Sequence, residues 1–309
     1  MIYPRPLPRG GKIGICAPAG PVVEERLHTA VAVLHSEGFE VVTSPSAFDK
    51  YGLFSAPDEI RLRELEEMFE RDDIDAVFTA RGGVGTSRLL ASVDTALIAR
   101  SRKPLLTFSD ITALQWLLSM RHDFVTYSGP LAVEWDGAVS EASRRQALRV
   151  LCGETDGDLL DDLPRSDITV LRGEGEISGR LMPGNLTMAT TLLGTPYLPD
   201  LKDSILMIED INEPPHRVDR LLFHLRNAGM LKDLRGLLLG DFGTATDPLR
   251  HEALRTSVLD ATAGTDYPLV CGLPFGHGPE RMTLPVGATV TLDIEKLRFT
   301  MTLPQEVLV

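Results

Sequence analysis

The chain has 309 residues, of which 43% are apolar and 24% are charged, and its 31 Lys and Arg against 44 Asp and Glu give a net charge of −13. This is the composition of an ordinary globular protein, long enough for one large domain or two smaller ones that each bury a core. The acidic balance and the lack of a Lys/Arg-rich run disfavour nucleic acid as a partner.

The cysteines and the apolar runs predict the compartment. Three cysteines occur, widely spaced and without a CxxC pair, which indicates neither a disulfide framework nor a zinc site. The first dozen residues lack the apolar stretch of a signal peptide, and no run of about 18 uninterrupted apolar residues follows. We therefore expect a cytoplasmic protein that does not bind a membrane.

The first half alternates short apolar runs with amphipathic runs, which is typical of a parallel sheet with crossover helices. A strand at Lys12–Cys16, a helix at Glu24–Ser36 closed by Gly38 and a strand at Phe39–Thr43 form a first βαβ unit. This half is therefore predicted to be an α/β domain.

The next elements continue that pattern. Ser55 and Asp58 resemble a capping box for a helix that runs to Glu70. The elements predicted after it are a strand at Ile74–Ala80 that ends in a glycine-rich loop, a strand at Pro104–Thr107 and a helix at Ile111–Met120.

An acidic, glycine-rich stretch separates the two halves. We predict an N-terminal domain at 1–154, a linker or crossover at 155–178 and a C-terminal domain at 179–309. The tail at Leu284–Leu303 alternates apolar and polar residues, which predicts antiparallel strands that close the second domain. The other elements predicted in the second half are helices at Asn185–Leu193, Val218–Asn227 and Pro248–Ala261 and strands at Ser204–Ile208 and Gly236–Gly240.

Ser109 lies where a predicted strand turns into a helix. A serine there can present its hydroxyl at the carboxyl edge of the sheet, next to backbone N–H groups that stabilise an oxyanion. Serine is also a preferred N-cap, so helix stability alone could account for it. The G-x-S-x-G elbow is absent because Thr107 and Ile111 stand where the glycines would be, which disfavours an α/β-hydrolase.

A serine nucleophile needs a base, and His277 is the best placed of the seven histidines. It lies between Gly276 and Gly278 directly after an apolar strand, where the glycines allow a ligand to approach closely.

Glu209 ends another apolar strand and could orient that imidazole. A polar residue where a strand meets water is the simpler interpretation. Glu209 and Asp210 are adjacent and are expected to project to opposite faces, and no histidine stands at metal-ligand spacing from either, so a glycosidase pair and a metal site are disfavoured.

Two further patterns are weaker candidates. Cys16 and Cys271 lie inside apolar strands, where free cysteine behaves as a small buried hydrophobe and not as a nucleophile. The loop from Arg81 to Gly85 could cradle a phosphate, yet it lacks both the P-loop ending and the dinucleotide spacing.

Taken in order, several segments resemble the LD-carboxypeptidase family, the muramoyltetrapeptide carboxypeptidases of cell-wall recycling, and the related microcin-immunity peptidases. The segments span nearly the whole chain and are specific through their joint order. They are Ala17-Pro18-Ala19-Gly20, Ala80-Arg81-Gly82-Gly83-Val84-Gly85, Ser109-Asp110-Ile111-Thr112, Gly184-Asn185-Leu186, Gly194-Thr195-Pro196, Glu209-Asp210-Ile211-Asn212-Glu213-Pro214 and Pro274-Phe275-Gly276-His277-Gly278.

The resemblance implies two α/β domains with an active site in the cleft between them, and a catalytic triad of Ser109, Glu209 and His277. It implies a serine peptidase that needs no metal or other cofactor and cleaves the bond between an L-configured centre and a C-terminal D-alanine in murein tetrapeptides. It also implies a homodimer. The oxyanion would be stabilised by backbone N–H groups of Asp110 and of the Gly82–Gly83 loop.

Substrate binding is assigned to Arg81 and Asn185. A protein of net charge −13 must hold a substrate with several carboxylates, and the Arg81 guanidinium could bind one of them bidentately beside Ser109. The alternative is that Arg81 pairs with a neighbouring carboxylate and only shapes the loop.

Three positions depart from the family pattern and bear on specificity. Thr107 and Pro183 stand where the family commonly has glycine, and Val84 stands where an aromatic residue is usual. Two other functions stay open: an immunity-type peptidase that cleaves an aminoacyl or peptidyl nucleotide analogue, and a noncatalytic protein that binds small ligands.

Overall fold

The computed structural model describes residues 1–154, 157–243 and 247–301. The strands within these ranges are β1 (Lys12–Cys16), β2 (Glu40–Thr43), β3 (Ala76–Thr79), β4 (Leu105–Thr107), β5 (Thr126–Ser128), β6 (Thr169–Arg172), β7 (Glu176–Asn185), β8 (Ser204–Glu209), β9 (Gly236–Leu239), β10 (Leu269–Cys271), β11 (Leu284–Val286), β12 (Thr289–Asp293) and β13 (Arg298–Met301).

The α-helices connect the strands and cover the sheets. Helix α1 shows why: Leu27, Ala30 and Leu34, at helical spacing, turn one apolar stripe into the core. The helices are α1 (Glu24–Ser36), α2 (Asp58–Glu70), α3 (Thr95–Ser101), α4 (Thr112–His122), α5 (Glu141–Leu151), α6 (Leu186–Thr191), α7 (Pro215–Asn227) and α8 (Pro248–Ala261).

The strands form two sheets. The first has the order β11-β5-β4-β3-β1-β2, in which β1 to β5 are parallel and β11 is antiparallel to β5. The second has the order β13-β12-β7-β8-β9-β10-β6, in which β7 to β10 are parallel and the strands at both edges are antiparallel. The predicted two-domain α/β architecture is confirmed.

The core lies on both faces of each sheet. Successive strand residues point to opposite faces, so Leu106 packs in one apolar cluster and Leu105 in the other, as do Ile205 and Leu206 of the second sheet. Each cluster contains side chains from both sheets. The two sheets therefore share their apolar layers.

The chain returns to the first sheet near its end, which the tail pattern did not indicate. Leu284–Val286 pairs antiparallel with Thr126–Ser128, so β11 is an edge strand of the first sheet, and only β12 and β13 extend the second. Alternation of apolar and polar residues identifies a strand but not the edge that receives it. Residues 302 and 303 of the predicted segment lie outside the described residues.

The segment predicted as a linker also contributes to a sheet. Residues Thr169–Arg172 form β6, which pairs with β10 at the edge of the second sheet, and β7 begins at Glu176. Residues 155 and 156 lie outside the described part of the chain. The domain boundaries at 154 and 179 stay a prediction.

The predicted capping box at the start of α2 is wrong. Pro57 occupies the N-cap, and no side chain caps it. The Ser55 hydroxyl donates instead to the Ala17 carbonyl at 2.6 Å, and Asp58 pairs with Arg61 and Arg88. The Ser55 hydroxyl, which would accept the capping hydrogen bond in the predicted motif, thus makes a hydrogen bond to a distant part of the chain instead.

No helix in the described ranges is long and apolar enough to cross a membrane.

A buried indole hydrogen bond joins the helix after Ser109 to the second sheet. Trp116 of α4 donates from Nε1 to the carbonyl of Pro183 in β7 at 2.9 Å. Trp135 is also fully buried, but its Nε1 has no partner within the described residues.

Trp116→Phe should therefore cost about 1 kcal/mol more unfolding free energy than Trp135→Phe, because only the first variant loses a buried hydrogen bond while both lose the same volume. Urea unfolding of the two variants measures this difference. Equal losses would mean that the Trp116 hydrogen bond adds nothing to stability.

Candidate active site

Ser109 lies two residues beyond the carboxyl end of β4, on a sharp turn. Its backbone φ is 63°, in the left-handed region that residues other than glycine rarely adopt. It opens a short 3-10 helix, Ser109–Ile111, and its hydroxyl caps neither that helix nor α4. The interpretation of Ser109 as a simple N-cap is therefore wrong, and the turn has the strained strand-to-helix geometry of a nucleophile elbow without the elbow glycines.

The Ser109 hydroxyl meets the imidazole of His277. His277 Nε2 lies 3.2 Å from Ser109 Oγ, and His277 Nδ1 lies 2.7 Å from Glu209 Oε2. Ser109 follows a strand of the first sheet, whereas Glu209 ends a strand of the second. The three side chains thus form a continuous hydrogen-bonded chain from one sheet to the other.

Close packing brings the His277 loop to this position. A Cβ on Gly276 would lie 2.7 Å from Asp241 Cβ, and one on Gly240 would lie 1.9 Å from the Phe275 carbonyl oxygen. The Asp241 N–H donates to that same carbonyl at 2.7 Å. Only glycine at these two positions lets the loop after β10 approach the end of β9 so closely.

Glu209 is completely buried, and its carboxylate is fully engaged. Oε1 accepts a hydrogen bond from Asn185 Nδ2 at 3.1 Å, and Oε2 faces His277. Burial raises the pKa of Glu209, whereas the hydrogen bonds from His277 and Asn185 act to lower it. The carboxylate thus depends on both partners to hold its charge away from water.

Asn185, which the sequence predicts to bind substrate, is hydrogen-bonded to other residues of the site. Its side chain is buried, and its Nδ2 donates to both Glu209 Oε1 and Asp210 Oδ1, while its Oδ1 accepts from the Met188 N–H and caps α6. The helix predicted to begin at Asn185 begins at Leu186 for this reason. The Asn185 amide thus holds Glu209, and a role of Asn185 in substrate binding stays a prediction.

The two adjacent carboxylates do not project apart as expected. Glu209 is the last residue of β8 and Asp210 lies beyond it, where strand alternation no longer applies, so both reach the Asn185 amide. Asp210 also accepts from the backbone N–H and the hydroxyl of Thr187, at 2.9 and 2.7 Å. Asp210 is thus a structural anchor for the start of α6.

The glycine-rich loop after β3 packs directly on Ser109. A Cβ on Gly82 would lie 2.9 Å from Ser109 Cβ, so glycine is required for this approach. The Gly20 N–H donates to the Gly82 carbonyl at 2.9 Å, and the Asp110 carboxylate accepts from the Thr86 N–H at 2.8 Å. These two bonds fix the loop beside the nucleophile.

The three N–H groups that are predicted to bind an oxyanion belong to the turn at Ser109 and to the loop that packs on it. Within the described ranges, the N–H groups of Asp110, Gly82 and Gly83 donate to no protein acceptor. The Gly82 carbonyl and the Gly83 N–H belong to one trans peptide group and point in opposite directions. Because that carbonyl accepts from Gly20, the Gly83 N–H points away from Gly20. The structure therefore leaves all three predicted donors unpaired.

Arg81 begins this loop, and its side chain is exposed. Nη1 donates to the carbonyl of Pro21 at 2.8 Å, and Arg81 takes part in no ion pair among the residues that the structure describes. The alternative in which Arg81 pairs with a neighbouring carboxylate is not what the structure shows. Much of the guanidinium stays available to an anion.

The three departures from the family pattern are accommodated locally. Thr107 is buried, and its hydroxyl lies 2.7 Å from that of Thr79 on the next strand. Pro183 offers its carbonyl to Trp116, and Val84 is 42% exposed beside Gly83. The threonine thus pairs inside the sheet and leaves the Ser109 turn in place.

The cysteines are poor nucleophiles. Cys16 is fully buried, which raises the pKa of its thiol well above the usual range, and burial raises the pKa of Cys271 to about 12. Among the described residues no group of three or more His, Cys, Asp or Glu side chains could hold a metal ion.

Two residues beside the triad carry no motif in the sequence. The Phe108 ring centroid lies 5.0 Å from that of His277, and the Arg281 guanidinium lies 4.4 Å from the Phe108 centroid. An arginine in a loop gives no sequence signal that it is buried, since arginines are mostly exposed.

Family models for the LD-carboxypeptidase N-terminal and C-terminal domains match residues 13–129 and 178–292. A probable murein peptide carboxypeptidase of Bacillus subtilis is 32% identical over 94% of this chain and 91% of its own length. The solved structure of a muramoyltetrapeptide carboxypeptidase from Oxalobacter formigenes is 32% identical, with a TM-score of 0.79 over 93% of this chain and 97% of that chain.

The microcin C7 self-immunity protein MccF of Escherichia coli is also similar, at 25% identity over 97% of this chain and 94% of its own length. The two family models and the carboxypeptidases among the relatives of this chain indicate the serine-type hydrolase class. The chain belongs to the LD-carboxypeptidase family, and with it to the serine-type peptide hydrolases.

The raised pKa of Glu209 predicts a pH effect on stability. Between the ordinary glutamate value of 4.5 and the raised value, the folded protein binds a proton at Glu209 that the unfolded chain has lost. The stability that neutral Glu209 contributes to the folded state is fully present below pH 4.5 and is lost as the pH rises through the pKa of Glu209 in the folded state.

Glu209→Gln removes that titration, so the free energy of unfolding of the wild type should fall relative to that of Glu209→Gln as the pH rises. Denaturant unfolding at several pH values from acid to neutral measures the difference. A parallel pH dependence of the two proteins would show that Glu209 is not destabilised by its burial.

Proposed function

We propose that the protein is a serine carboxypeptidase that removes the C-terminal D-alanine from murein tetrapeptides, with Ser109, His277 and Glu209 as its catalytic triad. The observation that carries the proposal is the chain of contacts from Ser109 Oγ through His277 to the buried Glu209, at 3.2 and 2.7 Å. These are the distances and the order that proton transfer from a serine requires.

In the first half of the reaction, Ser109 Oγ attacks the carbonyl carbon of the bond that precedes D-alanine, and its proton moves to His277 Nε2. Glu209 accepts a hydrogen bond from His277 Nδ1–H, which holds the tautomer that can take the serine proton and stabilises the imidazolium. As the tetrahedral intermediate collapses, His277 gives the proton to the leaving amine. D-Alanine departs and an ester on Ser109 remains.

In the second half, water attacks the ester carbonyl and gives its proton to His277. Collapse of the second tetrahedral intermediate returns that proton to Ser109 Oγ and releases the tripeptide with a new carboxylate. The N–H groups of Asp110 and of the Gly82–Gly83 loop are unpaired beside Ser109 and would stabilise the oxyanion in both steps. One such donor is worth about 3 kcal/mol of barrier.

The names of the relatives support the substrate class. Both the relative from Bacillus subtilis and the enzyme from Oxalobacter formigenes are named for murein peptides, and each is similar over more than nine tenths of this chain. We extend the proposal to a cytoplasmic role in peptidoglycan recycling and to a homodimer. The likeness to MccF favours a second candidate, a peptidase that cleaves an aminoacyl or peptidyl nucleotide analogue.

The first test is release of D-alanine from L-Ala-γ-D-Glu-diaminopimelate-D-Ala. Wild-type protein should release D-alanine, and EDTA should not change its rate of release. Ser109→Ala should lose the activity while keeping its melting temperature. Cys271→Ala, which removes one of the two cysteines considered as nucleophiles, is the matched control and should stay active.

Near wild-type release by folded Ser109→Ala would contradict the serine mechanism. Activity that EDTA abolishes and zinc restores would indicate a metallopeptidase. Cleavage of an aminoacyl nucleotide analogue but not of the tetrapeptide would favour the second candidate function.

Arg81 is the proposed clamp for a substrate carboxylate. Its planar fork can hold two oxygens at once, which an ammonium cannot, so Arg81→Lys should lower kcat/KM about tenfold or more with little change in melting temperature. Arg63→Lys is the control, since Arg63 is an exposed arginine on α2 that pairs with Glu67. Full activity of Arg81→Lys combined with a lower melting temperature would show that Arg81 only shapes the loop.

A further inference from the structure

Arg281 is a buried arginine in the loop that carries His277. Its side chain is 1% exposed, and its guanidinium pairs through Nη1 with Glu134 Oε2. Glu134 Oε2 also accepts from the Leu131 N–H at 2.8 Å, and the Arg281 N–H donates to Ser143 Oγ at 2.7 Å. Both ends of Arg281 are thus fixed to the first domain, although the loop comes from the second sheet.

The guanidinium lies against the ring of the residue that precedes the nucleophile. Arg281 Cζ is 4.4 Å from the centroid of Phe108, within the range of a cation–π contact. The Phe108 ring also contacts His277, with centroids 5.0 Å apart and planes inclined by 57°, and Phe275 edge-on at 5.5 Å. Arg281, Phe108 and His277 therefore pack in series beside the triad.

Burying this cation is costly. Desolvation opposes a guanidinium in the interior, and within the described residues Arg281 Nε has no hydrogen-bond partner. A methionine of similar length would fill the space against Phe108 without that penalty. What the guanidinium adds is a planar group held rigidly by Glu134, which fixes the position of the Phe108 ring.

Phe108 connects Arg281 to Ser109 and His277. Its backbone is extended, with φ of −161°, and the chain turns sharply at Ser109 directly after it. A shift of Phe108 would therefore move Ser109, to which it is bonded, and His277, against which its ring packs. A displacement of about 1 Å at a reacting group can cost about 100-fold in rate. The Glu209 hydrogen bond fixes one ring nitrogen of His277, and the Phe108 ring packs against the imidazole and limits its tilt about that bond.

We propose that Arg281 is a positioning residue that acts through Phe108 to hold His277 in line with Ser109. The proposal rests on the proposed triad. It assigns a role in the rate of the chemical step to a side chain that contacts neither substrate nor the reacting atoms.

The test compares Arg281→Met with Arg172→Met. Arg172 is the matched control because it is a half-buried arginine with a cation–π contact, 5.5 Å from the Tyr267 centroid, on the edge strand β6 of the second sheet. Arg281→Met should lower kcat for D-alanine release about 10- to 100-fold with KM within about twofold of wild type. Arg172→Met should change neither constant, whatever its melting temperature.

A second readout needs no substrate. The proton between His277 Nδ1 and Glu209 should give a far-downfield proton NMR resonance, and this resonance should shift or broaden in Arg281→Met and stay in place in Arg172→Met. Arg281→Lys keeps the cation but not the fork and should fall between Arg281→Met and wild type in kcat and in the resonance. Where Arg281→Met fails to fold, Arg281→Lys and Phe108→Leu carry the same comparison.

An unchanged resonance together with an unchanged kcat per folded molecule would overturn the proposal, as would a loss that lies wholly in KM. Failure of the proposed function is a separate result. Wild-type protein would then release no D-alanine at all, while the resonance would still report whether Arg281 positions His277.

Discussion

The imidazole of His277 hydrogen-bonds to one side chain from each of the two sheets. Its Nδ1 faces a carboxylate at the end of β8, and its Nε2 faces a hydroxyl beyond the end of β4, so the hydrogen-bonded chain forms only when the two sheets keep their relative position. Shared apolar layers, the Trp116 bond to β7 and the return of β11 to the first sheet all oppose relative movement of the sheets. The geometry of the proposed triad therefore depends on interdomain packing as much as on local turns.

Three local features make that packing possible. Ser109 occupies the left-handed region, which costs about 1 to 2 kcal/mol, and the surrounding contacts must hold it there. Gly82 removes the side chain that would collide with Ser109, and Gly276 and Gly240 do the same for the His277 loop. Glu209 is fully buried, and its hydrogen bonds to Asn185 and His277 offset part of the cost of burying its charge.

The sequence predicts much of this because the three residues proposed as the triad lie at or just beyond strand ends. Strands and helices of the first half fall within a few residues of their predicted bounds, and Ser109, Glu209 and His277 each follow an apolar run.

The errors have a common cause, since the side chain or strand took a distant partner that no local pattern encodes. Ser55 binds Ala17, Glu209 and Asp210 both bind Asn185, and β11 pairs with β5. Burial of Arg281 beneath Phe108 belongs to the same group.

The most direct test of the account is covalent labelling by a fluorophosphonate, which reacts with a serine only when a neighbouring base activates it. Peptide mass spectrometry of the wild-type protein should find the label on Ser109, and labelling should be lost in His277→Ala although Ser109 is still present. Labelling of Ser109 at an equal rate in His277→Ala would contradict the claim that an imidazole carried by the second domain activates the serine of the first.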